Sequence, residues 1–207
     1  MVPPRFLLLS PGDLEPGLVP AFLGLLGRLL DAGCPALLVR EERLLDRAFL
    51  DLLDGVRARA GERSLWLAVH DRAHLAEIAG VHAVHLGFRS LPPRLVREHF
   101  ARTLAIGLST HAEDDPRTWE EADYLFHGPV RATASKVGWK EPIGFEGLAR
   151  AVRASVRPIL ALGGIRPEDV ASARAAGAHG VAVRSGVLSS SDPPRALERY
   201  LSELQPS

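Results

Sequence analysis

The stretch PILALGGIRPEDVASARAAGAHGVAVRSGV, Pro158 to Val187, holds one full repeat of the chain's pattern. A short apolar run, Pro158–Leu162, stops at the pair Gly163-Gly164. Such a run, with no polar alternation, predicts a strand buried on both faces of a parallel sheet. Pro167 then opens an amphipathic segment that reaches Ala176 and meets Gly177. Proline in the first turn of a helix loses nothing, because its missing N–H would have no partner there. A second apolar run, Gly180–Arg184, follows. Strand, helix, strand with short joints is the unit from which parallel sheets are wound.

Outward from this stretch the same alternation recurs. Further strands are predicted at Phe6–Ser10, Ala36–Arg40, Leu65–Val69, His82–Leu86, Thr103–Gly107 and Tyr124–His127. Between them lie helical segments at Leu18–Ala32, Leu44–Ala60, Asp71–Ala79, Pro92–Phe100, Asp115–Ala122, Phe145–Ser155 and, last, Pro193–Leu204. Gly33 and Gly61 sit where helix C-caps want them. Strict alternation without a charged linker or low-complexity tract implies one α/β domain over residues 1–207. An open doubly wound sheet would announce a glycine-rich turn after its first strand, and Ser10-Pro11-Gly12-Asp13 is not that fingerprint. Eight β units, each followed by an α unit, instead predict a closed (β/α)8 TIM barrel.

Composition narrows the function classes. The 207 residues carry 25 Lys+Arg against 25 Asp+Glu, a formal net charge of zero. Binding nucleic acid through bulk positive charge is therefore not expected. The apolar run near the start, Phe6 to Leu9, is too short for a signal segment or a membrane span. One cysteine, Cys34, excludes an intrachain disulfide and a cysteine zinc cluster. A cytoplasmic location fits these features. The chain has no Asn, one Gln and two Lys, Lys136 and Lys140. That depletion fits a thermophilic source, and GC-rich codon usage gives the same Arg and Ala excess.

A barrel of this kind holds its active site where the strands end. The residues expected there are Arg40-Glu41-Glu42, His70-Asp71-Arg72, Gly87 to Ser90, Ser109-Thr110-His111, the stretch from Gly128 to Lys136, Gly163-Gly164 and Ser185-Gly186. Gly163, Gly164, Ser185 and Gly186 follow the last two strands, where barrels commonly bind phosphate on backbone N–H groups. Thr133, Ser135 and Lys136 lie in the longest irregular stretch, and two hydroxyls with an ammonium make an anion cradle. His111, beside Ser109 on the strand-5 loop, is the natural general acid/base. The pairs His70/His74 and His82/His85 have spacings that suggest zinc. However, His82 and His85 have opposite strand parity, and His74 falls inside a helix, so no histidine metal site is expected.

The segments VREE (Val39–Glu42), VHDRAHLA (Val69–Ala76), VHAVHLG (Val81–Gly87), IGLSTHAEDD (Ile106–Asp115), ADYLFHGPVRATASK (Ala122–Lys136), PILALGGI (Pro158–Ile165) and GAHGVAVRSGV (Gly177–Val187) occur in this order. Together they resemble the thiamine phosphate synthase/TenI family over roughly Phe6 to Leu204. The resemblance implies a (β/α)8 barrel and two candidate activities. Synthases join an aminopyrimidine pyrophosphate to a thiazole phosphate with magnesium. TenI-type members include a thiazole tautomerase, which needs no metal and uses a strand-5 His to move protons.

Departures from the synthase pattern favour the second branch. A Gln-x-Arg-x-Lys pattern is expected after strand 2, and here Leu38, Arg40 and Glu42 occupy it. An Asn-Asp pair is replaced by His70-Asp71, and Ser90 stands where a second magnesium carboxylate belongs. Magnesium wants hard oxygen ligands, and Glu42 would repel a pyrophosphate. The thiazole side matches at Ser109, His111, Thr133, Ser135, Lys136, Gly164, Ser185 and Gly186. The expectation is therefore a cofactor-free thiazole tautomerase. His111 is its catalytic acid/base. Arg40, Ser109, Thr133, Ser135 and Lys136 bind substrate, and Gly163, Gly164, Ser185 and Gly186 bind phosphate. No metal is expected, with Asp71 and magnesium entering only for a divergent synthase. A non-catalytic regulatory protein that binds thiazole phosphate is the third reading. The expected partner is a small-molecule thiazole phosphate, with no nucleic acid and no membrane; a homodimer stays open.

Overall fold

The computed structural model describes residues 2–100, 103–133 and 141–205. Eight strands close into one parallel barrel in chain order. They are β1 (Phe6–Leu9), β2 (Ala36–Val39), β3 (Trp66–His70), β4 (Ala83–Leu86), β5 (Ala105–Thr110), β6 (Tyr124–His127), β7 (Ile159–Leu162) and β8 (Gly180–Val183). The helices are α1 (Val19–Asp31), α2 (Asp46–Ala60), α3 (Ala73–Ile78), α4 (Pro93–His99), α5 (Gly144–Ala154), α6 (Val170–Ala175), α7 (Ser185–Leu188) and α8 (Pro193–Leu204). β1 pairs with both β2 and β8, which closes the ring.

Strand parity divides the apolar residues into two cores. One parity fills the lumen with Leu7, Leu38, Trp66, Tyr124, Phe126 and Leu160 beside the small Ala36, Ala68, Ala83, Ala105 and Ala182. The other parity packs outward against the helices, for example Val39, Val69, Val84 and Ile106 against Leu26, Phe49 and Leu53. Large and small side chains alternate so that the lumen is a packed core. Trp66 meets the edge of Tyr124 at 5.7 Å between ring centres.

The alternation expected from sequence departs from the structure in one unit. No α-helix forms over Asp115–Ala122; a single 3-10 turn, Pro116–Trp119, takes its place. Asp115 caps that turn by accepting from the Arg117 N–H at 3.0 Å. Only Trp119 and Ala122 are buried there, so a helix would have no apolar face to lay on the barrel. Asp123 closes the short connection instead, its carboxylate accepting from the Ile106 N–H at 2.7 Å and from Arg97 at 2.6 Å. The missing helix is offset after β8, where two helices follow one strand.

β5 also runs three residues further than the pattern suggested, through Thr110. Ser109 and Thr110 are strand residues, not loop residues, and His111 is the first residue beyond the strand. This places Ser109, by parity with Ala105 and Gly107, on the lumen face at the top of the barrel.

Candidate active site

A cavity of about 430 Å³ opens at the C-terminal mouth of the barrel. Leu9, Leu38, Phe126 and Leu162 form its apolar floor, and Arg40, His70, Asp71, His85, Ser109 and His111 supply polar groups to its wall. Of the residues expected from sequence, Arg40, Ser109, His111 and Asp71 therefore share one cavity. They come from the ends of β2, β3 and β5, as a barrel site requires.

The β2 end is fixed from below. The Arg40 N–H donates to the Ser10 hydroxyl at 2.8 Å, which ties β1 to β2. Glu41 is only 2% exposed. Its two carboxylate oxygens accept from the Gly12 N–H at 2.9 Å and the Leu14 N–H at 2.8 Å. Glu41 is thus a clamp on the β1 loop. Glu42 engages Arg40 at 2.6 Å and stands 3.6 Å from Arg89. The Arg40 hydrogen bond is the main reason the Glu42 carboxyl is held below its usual range.

At the β3 end, Asp71 and Arg72 both adopt positive φ, 52° and 46°. Only special contacts hold non-glycine residues there. Arg72 supplies them: its guanidinium binds Asp46 at 2.7 Å, donates to the Leu44 carbonyl and lies 4.5 Å from the Phe49 ring centre. Asp71 accepts instead from the Ser90 hydroxyl, and its other oxygen faces His70 Nε2 at 3.5 Å. The Ser90 oxygen in turn accepts from the Gly87 N–H at 2.6 Å. Burial lowers the His70 pKa, with Asp71 opposing that trend.

This donor set bears on magnesium. At the β3 end it offers one carboxylate already holding a serine hydroxyl, next to an imidazole; Glu42, which also lines the cavity, is taken up by Arg40 and Arg89. Among the described residues no three His, Cys, Asp or Glu side chains gather as a metal site. The residues present do not fit a two-carboxylate magnesium centre.

His111 is 7% exposed at the rim. The Asp114 carboxylate accepts from its backbone N–H at 2.7 Å and stands 3.6 Å from its Nδ1, so the ring is oriented from one side. Its neighbour Thr110 points to the outer side, where its hydroxyl lies 2.8 Å from His127 Nδ1. Burial drives the His127 pKa down to about 4.

His85, which the sequence suggests only as half of a zinc-like pair, is a residue of this site. Its parity with Ala83 is the signal that could have found it, because that parity points into the lumen. It is fully buried beneath the mouth, with Nε2 at 2.9 Å from the Ser109 hydroxyl and Nδ1 at 3.3 Å from the Tyr124 hydroxyl. His82 turns away, accepting from the Leu67 N–H at 3.0 Å, as opposite parity requires.

The residues expected to bind phosphate do not line this cavity. β7 and β8 end side by side, with Leu162 opposite Ala182. Leu162 is the last wall residue before Gly163. Gly163 and Gly164 have φ of 96° and 65°. A side chain at Gly163 would strike Pro129 at 2.7 Å, and one at Gly164 the Ala132 carbonyl at 2.4 Å. Both glycines are therefore also needed to admit the segment after β6. Gly186 leaves room for the Tyr200 hydroxyl, which a Cβ would meet at 2.1 Å. Thr133 is half-buried and is not among the residues lining this cavity, and Ser135 and Lys136 lie outside the described residues.

Comparison with known proteins agrees with the geometry at the level of family. The family model described as thiamine monophosphate synthase matches residues 16–187. The putative thiamine-phosphate synthase of Geobacter sulfurreducens is 33% identical over 179 residues, 86% of this chain and 84% of that protein. The thiamine-phosphate synthase of Moorella thermoacetica is 36% identical over 173 residues, 82% of each. Among solved structures, the thiamine phosphate pyrophosphorylase of Pyrococcus furiosus superposes with a TM-score of 0.79 at 25% identity, covering 96% of this chain and 93% of that one. A 3-hexulose-6-phosphate synthase from Salmonella typhimurium reaches 0.74 at 16% identity, a likeness of fold alone. With its closed eight-stranded barrel, its polar mouth and a match over most of its length, this chain belongs to the thiamine monophosphate synthase (TMP-TENI) family.

Proposed function

We propose that the chain is a thiazole tautomerase: it binds a thiazole carboxylate phosphate at the barrel mouth and aromatises the ring by proton transfer. One observation carries this reading. The mouth keeps Arg40, Ser109 and His111 around one cavity, while the carboxylate at Asp71 is single and bound by Ser90. Proton transfer needs a positioned group that both accepts and donates near neutrality, and a histidine does this. His111 removes a proton from one ring-system atom and returns one at another. The product is an isomer, so no co-reactant or metal is required. Arg40 and Ser109 orient the carboxylate end. The phosphate rests on backbone N–H groups at the turns Gly163-Gly164 and Ser185-Gly186, beyond Leu162, with Thr133, Ser135 and Lys136 as further ligands. A cytoplasmic location is part of this proposal. Among the described residues no helix is long and apolar enough to cross a membrane.

The names of the relatives favour a second reading, magnesium-dependent coupling of aminopyrimidine pyrophosphate to thiazole phosphate. Asp71 is the residue it would use. Incubating the purified protein separately with the non-aromatic thiazole carboxylate phosphate, and with both coupling substrates plus magnesium, separates the two. Aromatisation without magnesium supports the tautomerase. Robust thiamine phosphate formation replaces it with the synthase.

A further inference from the structure

Below the mouth, three polar side chains form a line through the barrel lumen. Tyr124 on β6 is fully buried, and its hydroxyl lies 3.3 Å from His85 Nδ1 on β4. His85 Nε2 lies 2.9 Å from the hydroxyl of Ser109 on β5, which faces the cavity. Phe126 packs against the imidazole, its ring centre 4.0 Å away and its plane tilted by 32°. Gly107, between them on β5, makes the line possible, since a Cβ there would fall 2.3 Å from His85 Nδ1 and 2.5 Å from the Tyr124 hydroxyl oxygen.

We propose that Tyr124 and His85 are positioning residues that fix the Ser109 hydroxyl as a hydrogen-bond donor into the mouth, so that the ligand atom seated over Ser109 is an acceptor. The argument is one of proton accounting. A buried phenol must place its O–H on an acceptor. Among the described residues, His85 Nδ1 is the acceptor the Tyr124 hydroxyl meets. Burial holds His85 neutral, with the charges of His70 and Arg40 acting in the same direction. A neutral imidazole has one donor and one acceptor nitrogen. If Nδ1 accepts from Tyr124, Nε2 carries the proton and donates to Ser109. The Ser109 oxygen is then occupied as an acceptor by His85, and its own O–H turns toward the cavity. The opposite tautomer would reverse every bond, leave the phenol proton without a partner and present Ser109 as an acceptor.

The identity of that ligand rests on the function proposed above, where an acceptor oxygen of the carboxylate end fills this role beside Arg40. The polarity of the relay does not, because it is a property of the unliganded protein. The test is nitrogen-15 spectroscopy of histidine-labelled protein at neutral pH, with His85 assigned by its loss in His85→Gln. We expect the Nε2–H form in the wild type, and a shift toward mixed tautomers in Tyr124→Phe, which removes the donor. An Nδ1–H signature in the wild type, which needs no variant to fold, overturns the relay. So does an unchanged tautomer in a folded Tyr124→Phe protein. A second readout uses calorimetry with thiazole carboxylate phosphate. A lost hydrogen bond to a charged group is equivalent to about 10–100-fold in affinity. Ser109→Ala and Tyr124→Phe should both weaken binding in that range, although only Ser109 touches the ligand. Unchanged affinity in Tyr124→Phe overturns the proposal. An Nε2–H tautomer with no binding of the thiazole ligand keeps the relay and removes the function reading.

Discussion

Replacing Gly107 by alanine adds one methyl group to the lumen and should unsettle the whole mouth. A Cβ at this position lies 2.2 Å from Tyr124 Cζ and 2.3 Å from His85 Nδ1. Comfortable carbon contacts are roughly 3.5–4.0 Å, so both side chains must retreat by more than 1 Å. Neither has room. Tyr124 packs on Trp66 at 5.7 Å, and His85 packs on Phe126 at 4.0 Å. Overpacking of this kind is destabilising by about 1–3 kcal/mol. Breaking the Tyr124–His85 contact leaves buried polar groups unpaired, which adds about 1–3 kcal/mol. The lower chain entropy of the unfolded alanine variant returns about 0.4–1 kcal/mol. The net loss is about 1–6 kcal/mol, or about 2–20 °C in Tm for a chain of this size. Urea unfolding followed by circular dichroism measures it. A loss below about 1 kcal/mol would show that the lumen is looser than these distances imply and would refute the packing argument.

Three further outcomes follow from the same structure. Glu41→Ala should lower stability by about 2–5 kcal/mol in a thermal or urea melt, because the Gly12 and Leu14 N–H groups lose their acceptors; a loss under about 1 kcal/mol would refute the clamp. His127 titrates at about 4 when folded and near its ordinary 6.5 when unfolded. Between those values the unfolded chain binds more protons, so stability falls as pH drops from 6.5 to 4, by up to about 3 kcal/mol; His127→Phe should flatten that slope, and an unchanged slope would assign it to other groups. Calorimetry with magnesium alone should show no saturable binding, since Asp71 stands as a single carboxylate bound by Ser90; a saturable isotherm lost in Asp71→Ala would restore the metal site.

The barrel was legible because apolar runs such as Ile159–Leu162 and Gly180–Val183 are short, unbroken and separated by capped helices. The helix expected over Asp115–Ala122 was not, because polarity and a proline-led turn mimic a helix start without an apolar face behind it. Arg40, Ser109 and His111 were legible as strand-end residues, and the structure gathers them. The roles of two acidic residues were not. Glu41 reads as a mouth carboxylate until its buried contacts with Gly12 and Leu14 appear, and Asp71 pairs with Ser90, nineteen positions away, instead of the adjacent Arg72. His85 was hidden for the same reason. Its partners Tyr124 and Ser109 are distant in sequence, and only barrel closure brings them together.

The central claim is that His111 moves the protons. The rate of aromatisation of thiazole carboxylate phosphate, followed without magnesium for wild type and His111→Ala, tests it most directly. Positioned acid/base catalysis contributes about 10²–10⁴-fold. The variant should therefore be slower by about 100-fold or more, while its affinity for thiazole phosphate, whose phosphate the proposal seats on other turns, stays within about tenfold. Wild-type turnover that survives unchanged in His111→Ala would contradict the account and pass the role to His70. Absence of aromatisation in the wild type, with thiamine phosphate formed instead, would contradict the tautomerase reading itself.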